Sequence, residues 1–333
     1  MTPRSTVTLL AALSVLLAFP AGGHAAKTNI AVGIGDQSPD MFTNTNFKVL
    51  KIKKVRYFLP WDAVDRPDAI LKADAWLRAA KTANIRPLFH LDGLLTEEGK
   101  PPSVATYKKK ARALVKLYRR GTDGRASVPE WGVWNEANNG HQPVSKYPGR
   151  TAKYFLALRD VCRGCTIVAM DLLDAGNFKG WIRSFYRALG RKKGLAKIVG
   201  IHNYGDTNRP KNNTGVIIKE VRRFNPRAQF WLTETGGITL LQGEKNGKLV
   251  HSRGLGCNPA KPAAAEKRQA RAVAKMFRIA RKFKRYVKRL YPYNFYATDC
   301  DQTLRFDAGL IRRDGSRRPA YNTLRSAMRN FRR

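Results

Sequence analysis

The feature that most constrains the fold is a repeat of short β-type runs with helical stretches between them. NIAVGIG (29 to 35), KKVRYFL (53 to 59), IRPLFHL (85 to 91), VPEWGVW (128 to 134), TIVAMDL (166 to 172), KIVGIHNY (197 to 204), AQFWLTE (228 to 234) and YNFYAT (293 to 298) make eight runs. Between most of them stand PDAILKADAWLRAAKTA, VATYKKKARALVKLYRR, RTAKYFLALRDV, FKGWIRSFYRALGR, TGVIIKEVRRF and AAAEKRQARAVAKMFRIARKFKRYVKRL. Strand and helix in alternation imply a parallel sheet, and eight units over this length favour a closed α/β (β/α)8 TIM barrel over an open doubly wound sheet. The first strand–helix junction carries no GxGxxG or GxxxxGK phosphate loop, which would favour the open sheet. No Ser/Pro-rich linker divides the chain, so residues 27 to 333 read as one domain. The longest irregular stretch, TGGITLLQGEKNGKLVHSRGLGCNPAKP, follows the seventh run and is long enough to be a functional loop.

Residues 1 to 26 read as a secretory signal: Arg4, an apolar stretch through Pro20, then small residues at Gly23 and Ala25, with cleavage after Ala25 or Ala26. The apolar segment is shorter than the roughly 20 residues a bilayer requires. The expectation is an exported protein with no transmembrane segment. An uncleaved anchor is the alternative. In an exported chain the four cysteines most simply form two disulfides. Cys162 with Cys165 and Cys257 with Cys300 is the least demanding of three pairings. A zinc or redox reading of CRGC lacks a second CxxC and a neighbouring His.

The charge is extreme, with 63 Lys plus Arg against 24 Asp plus Glu, a formal +39. Such a field concentrates anionic partners such as acidic polysaccharide, wall polymer, phospholipid or nucleic acid, although it could equally be a solubilising surface. The export signal argues against nucleic acid. The basic helix 263 to 290 reads as an outer-ring helix with its apolar stripe against the sheet and a cationic face outside.

In a (β/α)8 barrel the active site lies at the carboxyl ends of the strands. Those ends carry Arg56, His90 and Asp92, Asn135 and Glu136, Asp171, His202 and Tyr204, Glu234, and Tyr296 and Asp299. Glu136 in WGVWNEANNG and Glu234 in FWLTETGG sit on the fourth and seventh strands, which face each other across eight. Facing carboxylates suit acetal hydrolysis, because mutual repulsion and unequal environments keep one protonated to serve the leaving oxygen while the other attacks or stabilises the anomeric carbon. Their spacing decides between retention and inversion, and sequence does not measure it. Asp92, Asp171 and Asp299 have the simpler reading of βα-turn caps. Of the tryptophans Trp61, Trp134 and Trp181, Trp61 beside the PWD turn is the sugar-stacking candidate. Asn138 fits either a substrate contact or a helix cap.

WGVWNEANNG, GIHNY and FWLTETGG together resemble the retaining glycoside hydrolases of the clan GH-A (β/α)8 superfamily, and most closely its β-xylosidase-like families, whose strand-four motif reads WNEPN. The likeness runs from about Gly33 to Tyr321 and includes VRYFLPWDAV and FDAGLIRRDGSRRPAY. It implies Glu136 as acid/base, Glu234 as nucleophile, Asn135 as donor to the sugar 2-hydroxyl, and Tyr204 of the H-x-Y pattern as a hydrogen-bond partner of the nucleophile. It also implies a carbohydrate substrate and neither metal nor organic cofactor. Read from the residues themselves, Arg56 holds the nucleophile's charge or is a barrel-bottom ion pair, and His90 contacts the substrate or is a satisfied core histidine; with Trp61, Asn135, Asn138, His202, Tyr204 and Tyr296 they make up the candidate substrate-binding residues. Ala137 departs from the usual Pro after the acid/base. No Trp stands at the eighth strand, where Tyr296 is the substitute. A non-catalytic carbohydrate- or anionic-polymer-binding barrel is the rival, although a relic often loses one carboxylate and this chain keeps both.

Overall fold

A computed structural model describes residues 27–93, 100–245, 248–251, 262–298 and 306–332. The proposed signal, Cys257, Cys300 and Asp299 lie outside the described residues. Eight barrel strands alternate with helices as the repeat requires. They are β1 (Ala31–Val32) with β2 (Ile34–Gly35), β3 (Lys54–Pro60), β4 (Arg86–Asp92), β5 (Glu130–Gly132), β6 (Thr166–Leu173), β7 (Ile198–His202), β8 (Gln229–Thr235) and, after the hairpin β9 (Leu240–Lys245) and β10 (Lys248–His251), β11 (Val287–Pro292). A short β12 (Phe306–Asp307) joins that hairpin in a separate three-stranded sheet. The helices are α1 (Thr45–Leu50), α2 (Pro67–Thr82), α3 (Val104–Tyr118), α4 (Pro148–Val161), α5 (Phe178–Leu189), α6 (Tyr204–Asn208), α7 (Asn213–Phe224), α8 (Pro262–Lys282) and α9 (Pro319–Ala327).

The barrel sheet runs β1-β11-β8-β7-β6-β5-β4-β3-β2, and every pairing named for it is parallel. β1 and β2 are halves of one strand broken at Gly33, so nine segments make an eight-stranded ring. Gly33 is required there: a Cβ on it would lie 2.5 Å from the Tyr291 ring and 2.8 Å from the Lys54 carbonyl.

Two sequence expectations are corrected. The eighth strand is Val287–Pro292, overlapping the last residues of the stretch read as helix, and YNFYAT forms the loop beyond it. Charge hid the alternation, because Arg289 points into the barrel, stacks 3.8 Å from the Trp231 ring centroid and pairs with buried Glu130. The stretch after the seventh run is also less irregular than expected, since residues 240–251 contain the β9–β10 hairpin.

Period-two alternation builds the interior in layers. Along β3 the odd positions Val55, Tyr57 and Leu59 join the core under the helices, while Lys54, Arg56 and Phe58 rise through the barrel from floor to mouth. Leu88, Val168, Trp231 and Tyr291 pack as a dry middle layer between a charged floor and the polar ring above. Outside, α8 buries Val273, Met276, Phe277 and Ala280 at helical spacing and exposes Arg271, Arg278 and Lys282. Cys162 and Cys165 are joined by a disulfide. No helix among the described residues is long and apolar enough to cross a membrane.

Candidate active site

Arg56 is the centre of the site. Its guanidinium is 1% exposed and spends its donors on four partners: Nε on His90 Nδ1 (2.9 Å), Nη1 on Glu234 Oε2 (2.9 Å), and Nη2 on both Asn135 Oδ1 (2.7 Å) and Asp171 Oδ2 (2.7 Å). A buried cation is tolerated only when so many acceptors converge on it. Its Cζ also lies 4.3 Å from the centroid of the Phe58 ring.

His90 accepts that bond, so Nδ1 carries its lone pair and Nε2 the hydrogen. Burial holds its pKa well below the usual value, with Asp171 opposing and Arg56 reinforcing, and the ring is neutral. Nε2 lies 3.3 Å from Asp171 Oδ2 but outside hydrogen-bonding alignment. The ring occupies the place where a Cβ of residue 132 would be, 1.8 Å from Cδ2, which explains Gly132. His90 is 0% exposed beneath Arg56, and so supports the arginine rather than facing the cleft.

His202 bridges two carboxylates. Nδ1 lies 2.9 Å from Glu136 Oε1 and Nε2 lies 2.8 Å from Asp171 Oδ2. Burial alone would lower its pKa, but Asp171, Glu234 and these hydrogen bonds outweigh it and raise it to about 10. It is therefore an imidazolium, and both nitrogens donate. Arg56 Nη2, 3.2 Å from Nε2, is a second donor sharing Asp171 as acceptor. Asp171 also accepts from Thr233, and although burial opposes ionisation, His202, His90 and Arg56 hold it well below the usual carboxylate range.

Glu234 and Glu136 stand above this base with side chains 10% and 15% exposed, whereas Arg56, Asp171, His90 and His202 are at 0%. Glu234 accepts from Arg56 and from the Tyr204 hydroxyl (Oε1, 3.1 Å), and His202 Nδ1 is 3.5 Å from its Oε2. Glu136 accepts from His202 and from Asn139 Nδ2 (2.7 Å), and its backbone sits at φ +44, a left-handed conformation that costs a non-glycine residue energy and is found at sites that need it. Burial raises both carboxyls. Hydrogen bonds from His202 and Asn139 outweigh that at Glu136, whose pKa is lowered, while at Glu234 burial and the charge of Glu136 prevail over His202 and Arg56, and its pKa is raised. One oxygen of each carboxylate and a nitrogen of His202 lie within 4.8 Å of one another. That donor set could hold a divalent cation only with His202 neutral, because an imidazolium has no lone pair to give.

Several sequence candidates lie elsewhere in this geometry. Asn138 uses its whole amide on the end of β6, donating to the Leu173 carbonyl (2.9 Å) and accepting from the Leu173 N–H (2.8 Å). Tyr296 accepts from Asn44 Nδ2 (3.1 Å) at the rim, away from the carboxylates. Trp181 is a core residue stacked on Phe185, whereas Trp61 is half-buried and stacks at 6.4 Å on buried Trp134. Asn135 gives Oδ1 to Arg56, and its Nδ2 takes no partner among the described residues.

Three residues were missed. Asn139 stands three positions after Glu136, a spacing that turns it back on the carboxylate. Tyr293, just past β11, lies in the field of Glu234, and its phenol pKa is raised by burial and then by that charge. Gln142 links Trp134 Nε1 (2.8 Å) to Asp92 (3.1 Å), whose carboxyl is pushed up to about 7 by burial. Cavity size marks none of this: spaces of about 630 and 650 Å³ lie on the side of the barrel and at its opposite end, respectively.

No protein-family model and no curated protein sequence matches the chain. Solved structures do. A GH10 endoxylanase from a sugarcane soil metagenome superposes with TM-score 0.60 at 15% identity over 89% of this chain and 96% of that one. Xylanase 10B of Thermotoga maritima gives 0.59 at 16% over 90% and 95%. A family 39 glycoside hydrolase of Bacteroides cellulosilyticus WH2 gives 0.59 at 16%, over 90% of this chain and 63% of that one. The fold is thus the (β/α)8 barrel shared with GH10 and family 39 glycoside hydrolases, in agreement with the clan GH-A resemblance.

Proposed function

We propose that the protein is a retaining glycoside hydrolase acting on a β-linked sugar of an oligo- or polysaccharide. The observation that carries this reading is the pair Glu136 and Glu234, facing each other from opposite strands with oxygens inside 4.8 Å and partly exposed above the fully buried Arg56, Asp171, His90 and His202. Oxygens this close favour the roughly 5 to 5.5 Å separation of a double displacement over the roughly 6.5 to 9.5 Å of an inverting enzyme.

Glu234, fixed by Arg56 and Tyr204, attacks the anomeric carbon. Glu136 delivers a proton to the leaving oxygen and then takes one from the water that frees the sugar. Its resting ionised state is no obstacle. His202 stores the proton on Nδ1, 2.9 Å from Glu136 Oε1, so a single transfer makes Glu136 an acid and His202 a neutral base still bonded to Asp171. The free Nδ2 of Asn135 suits a sugar hydroxyl next to the reacting carbon, and Trp61 offers a ring face. Xylan-type substrates come first because the similar solved structures are largely those of xylanases.

The test is chromophore release from aryl β-xyloside, glucoside, mannoside, galactoside and arabinoside, and reducing ends from xylan, by wild type, Glu234→Ala and Glu136→Ala. Expected are hydrolysis by wild type, loss of at least about 10⁴-fold in Glu234→Ala, and azide rescue in Glu136→Ala with retained anomeric configuration. Silence of wild type on all of them would reject the reading and favour a binding barrel.

A further inference from the structure

The mechanism leaves the large positive charge unexplained, and the topology shows where it gathers. In this barrel the connections from helix to strand all lie on the floor, opposite the catalytic mouth. From residue 51 to 286 these connections hold thirteen Lys or Arg and one acid, Asp123. The opposite loops are mixed: acids prevail after β2 (Asp36, Asp40), β3 (Asp62, Asp65, with Arg66) and β6 (Asp174), whereas Arg209 and Lys211 follow α6 and Arg312, Arg313, Arg317 and Arg318 stand beside Asp314 before α9.

The floor also contains a cavity of about 650 Å³, lined by Lys53, Lys54, Asn84, Arg86 and Ser127. Beneath it Glu130 is the single buried carboxylate, already shared by Arg289 and by Arg86 (3.3 Å). Lys53 and Lys54 make no ion pair or hydrogen bond through their amines among the described residues. Burial and the cations Arg289, Arg86 and Arg332 lower the Lys54 pKa, although Glu130 opposes them. Glu130 alone faces Arg86, Arg289 and Lys54, and Lys53 has no carboxylate partner among the described residues, so an anion entering the cavity would meet donors already in place.

We infer that the barrel floor, centred on Lys53, Lys54 and Arg86, is a second binding site, for the carboxylates of an acidic polysaccharide. Only the choice of polysaccharide rests on the glycosidase reading. The floor lacks what the other polyanions call for. Among its described residues Leu195 is the one large exposed apolar residue, too little to anchor in a bilayer, and its aromatics Phe283 and Tyr286 are half-buried, with Arg222 and Arg285 over the Tyr286 ring where a base would have to stack. Charged groups spread over several connections match a linear polyuronate better than a single small anion.

The test is affinity electrophoresis and sedimentation of the full chain with polygalacturonate, neutral xylan, phosphatidylglycerol vesicles and duplex DNA. Wild type should bind polygalacturonate, and raising salt from about 50 to 300 mM should weaken binding at least about tenfold. The triple variant Lys53→Gln, Lys54→Gln, Arg86→Gln should lose at least about tenfold in affinity. Exposed Lys53→Gln alone should lose about threefold, while Lys72→Gln, the same charge change on the outer wall, should lose nothing. Glu234→Gln should bind as wild type does, which separates this site from the cleft even if no glycoside is hydrolysed. Equal binding by Lys53→Gln and Lys72→Gln, loss in Glu234→Gln, or tighter binding of vesicles or DNA would overturn the proposal.

Discussion

The backbone N–H of Ala137 donates to the carbonyl oxygen of Asp171 at 3.0 Å, tying the Glu136 loop to the strand that carries the buried aspartate. Proline, the residue the related motif places here, has no N–H to give, and it pushes its predecessor toward extended backbone, whereas Glu136 sits at φ +44. Ala137→Pro should therefore leave a buried carbonyl unpaired, cost about 1 to 3 kcal/mol in stability and lower kcat at least about tenfold. Denaturant unfolding and kinetics check it, and unchanged values would mean the loop adapts without loss.

Arg56→Met removes a buried cation from two carboxylates. Leaving Asp171 and Glu234 to share His202 in place of two cations should cost about 3 to 5 kcal/mol. Arg56→Lys keeps the charge without the fork, so it should fold better yet raise the Glu234 pKa, moving the acid limb of kcat/KM to higher pH. An acid limb fixed in Arg56→Lys would count against the arginine's hold on Glu234.

His202 gives a pH signature with a definite sign. Its pKa is about 10 in the folded chain, above the roughly 6.5 of an unfolded histidine. The stabilisation is complete below the lower value and is lost as pH rises through the higher one. Thermal midpoints should fall between about pH 7 and 10, and His202→Gln should flatten that slope while bringing the alkaline limb of kcat/KM to lower pH. Parallel slopes in both proteins would show that the histidine is not the titrating group.

Tyr204→Phe deletes the one hydroxyl on Glu234 Oε1. Stability should change by about 0.5 to 1.5 kcal/mol, with kcat falling more than KM rises, because the bond orients the nucleophile without touching sugar. Steady-state kinetics on the best aryl glycoside decides this.

Gly132→Ala should act at a distance. Its methyl would displace the His90 ring, and with it the acceptor of Arg56 Nε. A loss comparable to His90→Ala, near 2 to 5 kcal/mol by unfolding, is expected. A near-neutral effect would show that the ring has room to move.

The barrel was legible because alternation and helical periodicity repeat at every unit, and the ring of strand-end residues followed from topology alone. What misled was charge inside the sheet. Arg289 and Lys288 made β11 read as the tail of a basic helix, since periodicity counts apolar residues and Arg289 is paired with Glu130 inside the barrel. Within the site, residue types near the strand ends could be read but their partners could not. Asp171 looked like a turn cap because nothing in sequence shows Arg56 and His202 closing on it. Asn138 and Asn139 are adjacent and alike, and only the turn at Glu136 decides that the second reaches the carboxylate.

The break at Gly33 also sets when the ring can close. The first strand needs β11 on one side and, through the bonds from Thr28 and Val32 to Asn330 and Arg332, the last residues described. During synthesis, most strands find their neighbours as they emerge, yet the seam stays open until the far end of the chain is made. The earliest residues of the barrel are thus among the last to be secured, and although β2 can pair with β3 early, the β1 edge waits unpaired until β11 is made.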